Sequence, residues 1–146
     1  MSSVRGAALA LLGRRDYTAA ELRERLIEKG HDAGEVDEQI ELLTAGGAIN
    51  DARVAATHIR VASQVKGRGR MRIRQELMAR GVAKPVIESL LAEMPPDDEA
   101  AAIQRFLSRR RIPESLTPIA RNKVFQQLLR KGFTADAISK ALRHRE

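Results

Sequence analysis

The positions of apolar residues repeat three times along the chain at the spacing of an amphipathic helix. The three segments start at Leu22, Ile73 and Val124, read LRERLIEKGH, IRQELMARGV and VFQQLLRKGF, and follow one another at 51 residues. In each, apolar residues stand eight, four and three positions before a glycine, and six and ten positions after it. Spacings of three and four residues bring side chains to one face of a helix. The segments therefore predict three copies of one helical unit.

Each of these glycines is predicted to end a helix. Gly30, Gly81 and Gly132 follow a basic residue, and glycine adopts the left-handed C′ conformation without steric cost. The positions four and three residues before each glycine are expected on the buried face: Leu26, Ile27, Leu77, Met78, Leu128 and Leu129.

Capping residues predict where further helices begin. Thr18 and Glu21 match the capping box, in which a side chain and the backbone cap each other at a helix start. Asp32 and Thr134 are suitable N-caps after the first and third glycines, and Pro85 suits the first turn after the second. A further helix is therefore expected directly after each glycine turn.

The first helix of each unit follows less similar signals. It is expected over about residues 3–13 in the first unit, and from Asn50 to about Val65 in the second. In the third unit one helix is expected to begin near Asp97 and the next at Thr117. The chain is thus predicted to be all-α, with about nine helices in three tandem three-helix repeats that form an elongated, curved body. The repeats are assigned to residues 1–47, 48–94 and 95–146.

The composition narrows the class of protein. The chain has no cysteine, which excludes disulfides and thiolate metal sites, and only 3% of its residues are aromatic, so an aliphatic core is expected. The apolar run of residues 7–12 is too short to span a membrane and is interpreted as part of the first helix. We expect a cytoplasmic monomer without membrane contact.

The net charge of +7 is unevenly distributed. Residues 1–51 carry six basic and ten acidic residues, whereas residues 52–84 carry nine basic residues against Glu76 alone. Residues 85–103 have five acidic and no basic residues, and residues 104–146 have eleven basic and three acidic residues. Two basic blocks on a folded body favour binding to a polyanion, most obviously nucleic acid. The alternative is a solvated, arginine-rich helical surface.

Residues with catalytic chemistry are sparse. His31, His58 and His144 have no second ligand type at metal spacing near them. The acidic residues 97–99 stand where a helix N-terminus favours negative charge. No phosphate-binding loop of the GxxxxGK[ST] type and no nucleophile elbow occurs. We expect no enzymatic activity, no cofactor and no metal site.

The most informative segment is VKGRGRMRIRQEL, residues 65–77. Gly67 and Gly69 flank Arg68 directly before a predicted helix, so free backbone N–H groups at that helix start are expected to form a phosphate or carboxylate site. Arg74 falls inside the apolar arc of the helix and is expected to be structural. The expected contact residues are Lys66, Arg68, Arg70 and Arg72. A flexible turn that happens to be basic is the alternative.

A second basic group follows in the third repeat. Arg105 and Arg109 are spaced to share one helical face. The expected contact residues of this group are Arg105, Arg109, Arg110, Arg111 and Lys123. Because aromatic residues are so few, base stacking is a poor mechanism, and we expect contacts to phosphates with weak sequence preference.

The chain resembles the RecX family of bacterial recombination regulators over nearly its whole length. The resemblance lies in YTAAELRERLIEKG from Tyr17, AINDARVA from Ala48 and KGRGRMRIRQELMARGV from Lys66, while Asn50 and Val54 replace an aspartate and an aromatic residue of the family pattern. It implies a three-repeat helical protein that lodges in the groove of the RecA filament on DNA. Such a protein would restrain the ATPase, strand-exchange and coprotease activities of RecA.

Two other functions stay open. The Gly-x-Gly turn is similar to that of helix–hairpin–helix modules, which would make the protein a stand-alone, sequence-nonspecific nucleic-acid binder. A protein-interaction scaffold, whose charges serve solubility alone, is the other.

Overall fold

The computed structural model describes residues 3–95, 98–143 and 145, so the predictions that involve Asp97 and His144 lie outside it. Within these residues the chain forms nine α-helices and no strand, which confirms the all-α, three-repeat architecture. The helices are α1 (Val4–Leu12), α2 (Ala19–Glu28), α3 (Ala33–Ala45), α4 (Asp51–Arg60), α5 (Arg70–Ala79), α6 (Lys84–Ala92), α7 (Asp98–Arg109), α8 (Pro118–Arg130) and α9 (Ala135–Leu142). A π-helical turn, Val61–Val65, continues α4 to the predicted end of that helix.

The side-chain caps predicted from the sequence are present. Thr18 Oγ1 accepts the N–H of Glu21 at 3.1 Å, and the Glu21 carboxylate accepts the N–H of Thr18 at 2.9 Å, which completes the capping box. The other N-cap side chains that accept a backbone N–H are Ser3, Asp32, Asn50, Thr117 and Thr134. Pro85 lies in the first turn of α6, as expected. These helix starts are therefore defined by local sequence.

Each repeat has its own core, built mainly from three consecutive helices and mainly aliphatic, with Tyr17 in the first core and Phe106 and Phe133 in the third. The leucine four residues before each glycine lies at its centre, and Leu26, Leu77 and Leu128 are all 0% exposed. Ile49, which the sequence assigned to the second repeat, packs into the first core. The accessible surface of 9056 Å² exceeds the roughly 7,500 Å² of a compact monomer of this size, as an elongated stack requires.

The neighbouring apolar position does not belong to the core. Ile27, Met78 and Leu129 are 37%, 53% and 37% exposed, so the expectation that they lie on the buried face is wrong. The buried face of each second helix follows the i, i+4 row through positions such as Leu22 and Leu26. A side chain one residue further is rotated by about 100° and leaves that face.

The first and second repeats meet where the start of α2 packs against the C-terminal turn of α5; we call this contact the first junction. Thr18 Oγ1 donates to the carbonyl oxygen of Arg80 at 2.6 Å. The Arg80 guanidinium donates to both carboxylate oxygens of Glu21, at 3.0 and 3.1 Å. The first junction is therefore closed by an opposite-charge pair.

Two further contacts fix the first junction. The N–H of Ala19 donates to Asp51 Oδ1 at 2.9 Å, so an acid at the start of α4 caps the start of α2 in the preceding repeat. A Cβ at Gly81 would lie 2.4 Å from the Cβ of Ala20. The close approach of the two repeats thus depends on glycine at the end of α5.

Candidate nucleic-acid interface

The second and third repeats meet in an equivalent way, 51 residues further along the chain; we call this contact the second junction. The N–H of Gly69 donates to the carbonyl oxygen of Lys131 at 2.8 Å, and the N–H of Met71 donates to that of Gly132 at 3.0 Å. A Cβ at Gly69 would lie 2.5 Å from the carbonyl carbon of Gly132. Gly69 is therefore required for close packing of two repeats, and it has an extended φ of −86°.

The helix start at Gly69 is not a free anion site. The N–H of Arg70 donates to Glu99 Oε1 at 2.9 Å, just as Ala19 donates to Asp51 at the first junction. Because Gly69 and Met71 donate to the third repeat, the N–H groups of the N-cap residue and of the first two residues of α5 are all bound within the protein. The predicted free N–H groups are thus wrong, because the acid expected only to favour its own helix start caps a neighbouring helix as well.

Arg68 and Arg70, two of the predicted contact residues, are held by internal partners. Arg68 Nη1 lies 2.5 Å from Glu76 Oε2, and His58 Nε2 lies 3.1 Å from the other oxygen of the same carboxylate. Arg70 Nη2 donates to the carbonyl oxygen of Met94 at 3.2 Å, and its Nε lies 3.8 Å from Glu99. Both arginines are half-buried, and their ion pairs hold the turn that leads into α5 in place.

Arg74 has the structural role expected from its position. Its Nε lies 2.5 Å from Glu88 Oε1. The same pair occurs one repeat earlier, where Arg23 Nε lies 2.7 Å from Asp37 Oδ1. The ion pair is therefore a feature of the repeat that ties the second helix to the third.

Seven cations of the two basic blocks converge on one surface at the second junction, which we call the junction cleft. It consists of two adjoining depressions of about 170 and 290 Å³ that share Phe106, Arg110 and Lys131. Lys66 and Arg109 line the smaller depression, together with Arg105. The larger one is also lined by Arg72, Gln127 and Arg130. Segments far apart in sequence therefore contribute to one cationic surface.

All but one of the seven cations of the junction cleft lack an acidic partner in the described structure, the exception being Arg72, which lies 3.6 Å from Glu76. In the described part of the chain, no acidic side chain forms an ion pair with any of six members of the cleft: Lys66, Arg105, Arg109, Arg110, Arg130 and Lys131. Burial lowers the pKa of the half-buried Lys131 ammonium, and the guanidinium groups of Arg110 and Arg72 lower it further. The side chains of Arg110 and Lys131 lie 5.3 and 5.5 Å from the ring centroid of Phe106, whose face attracts cations. The cleft concentrates positive charge and provides donors suited to phosphate oxygens.

Two predicted contact residues lie outside the junction cleft. Arg111 follows α7 with a φ of +52°, and Lys123 is exposed on α8; neither lines the two depressions. Two residues that line the junction cleft, Arg130 and Lys131, are not among the contact residues predicted from the sequence. The available signal was the position of Lys131, which precedes the third repeat glycine and so corresponds to the junction residue Arg80.

The described residues contain no group of three or more histidine, cysteine, aspartate or glutamate side chains arranged to hold a metal ion. No helix among the same residues has the length and apolar character needed to cross a bilayer. The junction cleft is the surface on which the predicted chemistry of the chain converges.

Comparison with known proteins identifies the family. The model of the first three-helix domain of RecX matches residues 5–43, and that of the second matches residues 50–91. A regulatory protein RecX of Halorhodospira halophila is 39% identical over 142 residues, which cover 95% of this chain and 86% of that protein. A regulatory protein RecX of Chromohalobacter salexigens is 34% identical over 137 residues, covering 94% and 89%.

Two crystal structures show the same fold. RecX from Lactobacillus salivarius has a TM-score of 0.83 at 22% identity and covers 96% of this chain and 92% of its own. A second regulatory protein RecX has a TM-score of 0.85 at 22% identity and covers 96% and 70%. At 22% identity the two crystal structures show the shared fold alone. The family is shown by the two domain models and by the relatives that are 34–39% identical over most of the chain. The chain belongs to the RecX family of regulatory proteins.

Proposed function

We propose that this protein binds the RecA filament on DNA and lowers its ATPase, strand-exchange and coprotease activities. It acts by binding and not by catalysis, as a cytoplasmic monomer. The membership of a family of regulatory proteins supports this role. The observation that supports the mode of binding is the junction cleft, which gathers cations of two repeats, six of them without an acidic partner among the described residues.

The charge distribution orients the protein on such a filament. The first repeat carries nine of the 19 acidic residues, more than either of the other two. Its Arg23 is paired with Asp37, and its Glu21 is paired with Arg80 of the second repeat. The second and third repeats present the junction cleft, so DNA phosphates would be contacted there. Because the repeats form an elongated stack, the first repeat would contact RecA itself in the groove of the filament.

The test of this function is the DNA-dependent ATPase of RecA, measured with and without the purified protein. The account predicts that hydrolysis falls as the protein is added and that strand exchange falls with it. Unchanged hydrolysis and strand exchange at saturating protein would remove the proposal.

A second candidate, direct binding to DNA without RecA, is favoured by the same unpaired cations. Its structural basis is not the Gly-x-Gly turn, because the N–H of Gly69 is already bound to Lys131. It predicts measurable affinity for DNA alone, with a steep decrease as salt is raised. If the protein binds DNA weakly at physiological salt but still lowers RecA activity, direct DNA binding is excluded and regulation of RecA stands as the function.

The alternative function, a protein-interaction scaffold whose charges serve solubility alone, is tested with variants that change charge without breaking internal ion pairs. Reversal of Arg68 and Arg70 would break internal ion pairs, so loss of function in such a variant would not separate binding from folding. Reversal of Lys66, Arg109 and Arg110 to glutamate changes exposed cations only. An unaltered effect on RecA in that variant would favour the scaffold.

A further inference from the structure

The two junctions differ in one pair of charges. Glu21 and Arg80, the ion pair that closes the first junction, correspond to Arg72 and Lys131 at the second, since each lies 51 residues further along the chain. The carbonyl oxygen before the glycine accepts a hydrogen bond across both junctions, from the Thr18 hydroxyl at the first and from the Gly69 N–H at the second. The second junction therefore keeps the geometry of the first but places two cations where the first has a cation and an anion.

Arg72 and Lys131 are close to each other in the structure. Both line the depression of about 290 Å³, and the charge of Arg72 contributes to lowering the pKa of Lys131. A Cβ at Gly132 would lie 2.3 Å from the Cβ of Arg72, so this side chain begins at the junction itself. The two positive charges are held together by the packing of the backbone.

The nearest anion does not neutralise this site. Glu76 lies 3.6 Å from Arg72 Nε, but the same carboxylate is 2.5 Å from Arg68 and 3.1 Å from His58. Arg110 and Arg130 line the same depression and have no acidic partner among the described residues. One carboxylate is thus shared between two arginines and a histidine, and the junction retains an excess of positive charge.

We infer that the second junction is completed by a bound phosphate group, which takes the place that the Glu21 carboxylate occupies at the first junction. The phosphate is bound between Arg72 of the second repeat and Lys131 of the third, with Arg110 beside them. It bridges the two repeats, so phosphate binding stabilises their packing. This deepens the proposed function and rests on it only in taking phosphate as the anion.

The experiment uses the full chain without RecA. Pyrophosphate is exchanged for chloride at constant ionic strength, and the melting temperature Tm is measured. Binding to the folded state alone is expected to raise Tm by about 3 °C once pyrophosphate exceeds its Kd about tenfold. No rise beyond that of chloride would overturn the inference.

The decisive variant is Arg72→Glu, which recreates the charge pair of the first junction. It is expected to raise Tm without pyrophosphate by about 3 °C and to remove most of the pyrophosphate effect. The matched control is Arg60→Glu, which makes the same charge change at an exposed residue that forms no ion pair with the described part of the chain. A loss of stability in Arg72→Glu, or an undiminished pyrophosphate effect, contradicts the inference.

Hydrogen exchange in the wild-type chain gives a measurement that needs no variant. The amides of Gly69 and Met71 bridge the second junction, and their exchange is expected to slow about fivefold or more with pyrophosphate. The amide of Ala19, bound to Asp51 at the first junction, serves as the internal control and should not change. Equal changes at both junctions, or none, would refute a phosphate site at the second.

The source of the phosphate is resolved by repeating the titration with a short oligothymidylate, which offers diesters in place of terminal phosphates. Stabilisation by both probes assigns the site to a nucleic-acid backbone, and stabilisation by pyrophosphate alone assigns it to a terminal phosphate. If neither stabilises the chain while RecA hydrolysis is still lowered, this inference fails and the proposed function stands. If the probes stabilise the chain but the protein has no effect on RecA, the phosphate site stands and the proposed function fails.

Discussion

At the residue scale, Glu99 shows how one side chain can serve two helices. It lies in the first turn of α7, where the helix dipole favours its charge, and it is only 8% exposed. Its carboxylate also accepts the N–H of Arg70, which starts a helix of the preceding repeat. Without this acceptor, that N–H would be left in a part-buried position with no partner.

Replacing Glu99 with alanine is therefore expected to lower the free energy of unfolding by about 2 kcal/mol, because a helix cap and a partly buried acceptor are lost together. Urea denaturation measures the loss. Asp98→Ala is the control: it removes an acid from the same turn that has no ion pair in the described structure, and should cost only about 0.5 kcal/mol. Equal losses in the two variants would show that the Arg70 contact contributes nothing.

The sequence indicated the charge of these residues but not their partners. Arg68 and Arg70 looked like free cations because no acid stands beside them in the sequence, yet Glu76 and Glu99 reach them through the fold. Ion pairs of this kind depend on tertiary packing, which a linear spacing does not contain. A structural role could be predicted for Arg74 from its place in the apolar arc of its own helix, although its partner Glu88 could not.

At the scale of elements, the glycine turns of the three repeats have a shared conformation and different surroundings. Gly30, Gly81 and Gly132 have φ values of +93°, +85° and +99°. Nothing lies within 4 Å of a Cβ built on Gly30, whereas the equivalent turns at the other two glycines receive a neighbouring repeat. The first of the turns therefore ends a helix, and the other two also form a junction.

This difference gives a matched pair of variants. Gly30→Ala is expected to cost about 1 kcal/mol, the strain of a left-handed alanine. Gly132→Ala is expected to cost about 3 kcal/mol, because its Cβ would also lie 2.5 Å from the N of Arg72 and push the repeats apart. Thermal unfolding of the two variants checks this, and equal costs would mean that the second junction contributes no stability.

Helices and caps could be predicted from the sequence because their determinants are local. The capping box of Thr18 and Glu21, the cap of Asp32 and the turn at Gly30 each lie within a few residues. The role of Gly69 could not be predicted in this way, since the group it contacts, the turn at Gly132, is distant in sequence. Its Gly-x-Gly context looked like a phosphate turn, but it is a packing contact between repeats.

At the scale of the whole molecule, stacking of repeats turns two basic blocks into one surface. Neither Arg72 nor Arg110 alone makes a binding site, but the second junction brings both beside Lys131. The acidic stretch that separates the blocks in sequence supplies Glu99 to the junction and leaves the cleft cationic. A polyanion would therefore be bound across two repeats and would respond to how they are packed.

The most direct test of this account is the affinity for RecA–DNA filaments of a variant with Arg105, Arg109 and Arg110 changed to glutamate. The matched control changes Arg14, Arg60 and Arg143, three exposed arginines outside the junction cleft, in the same way. Fluorescence anisotropy at one salt concentration measures both. The account predicts a loss of about a hundredfold or more in the cleft variant and a much smaller loss in the control. Equal losses in the two variants would contradict it, since net charge and not the junction cleft would then determine binding.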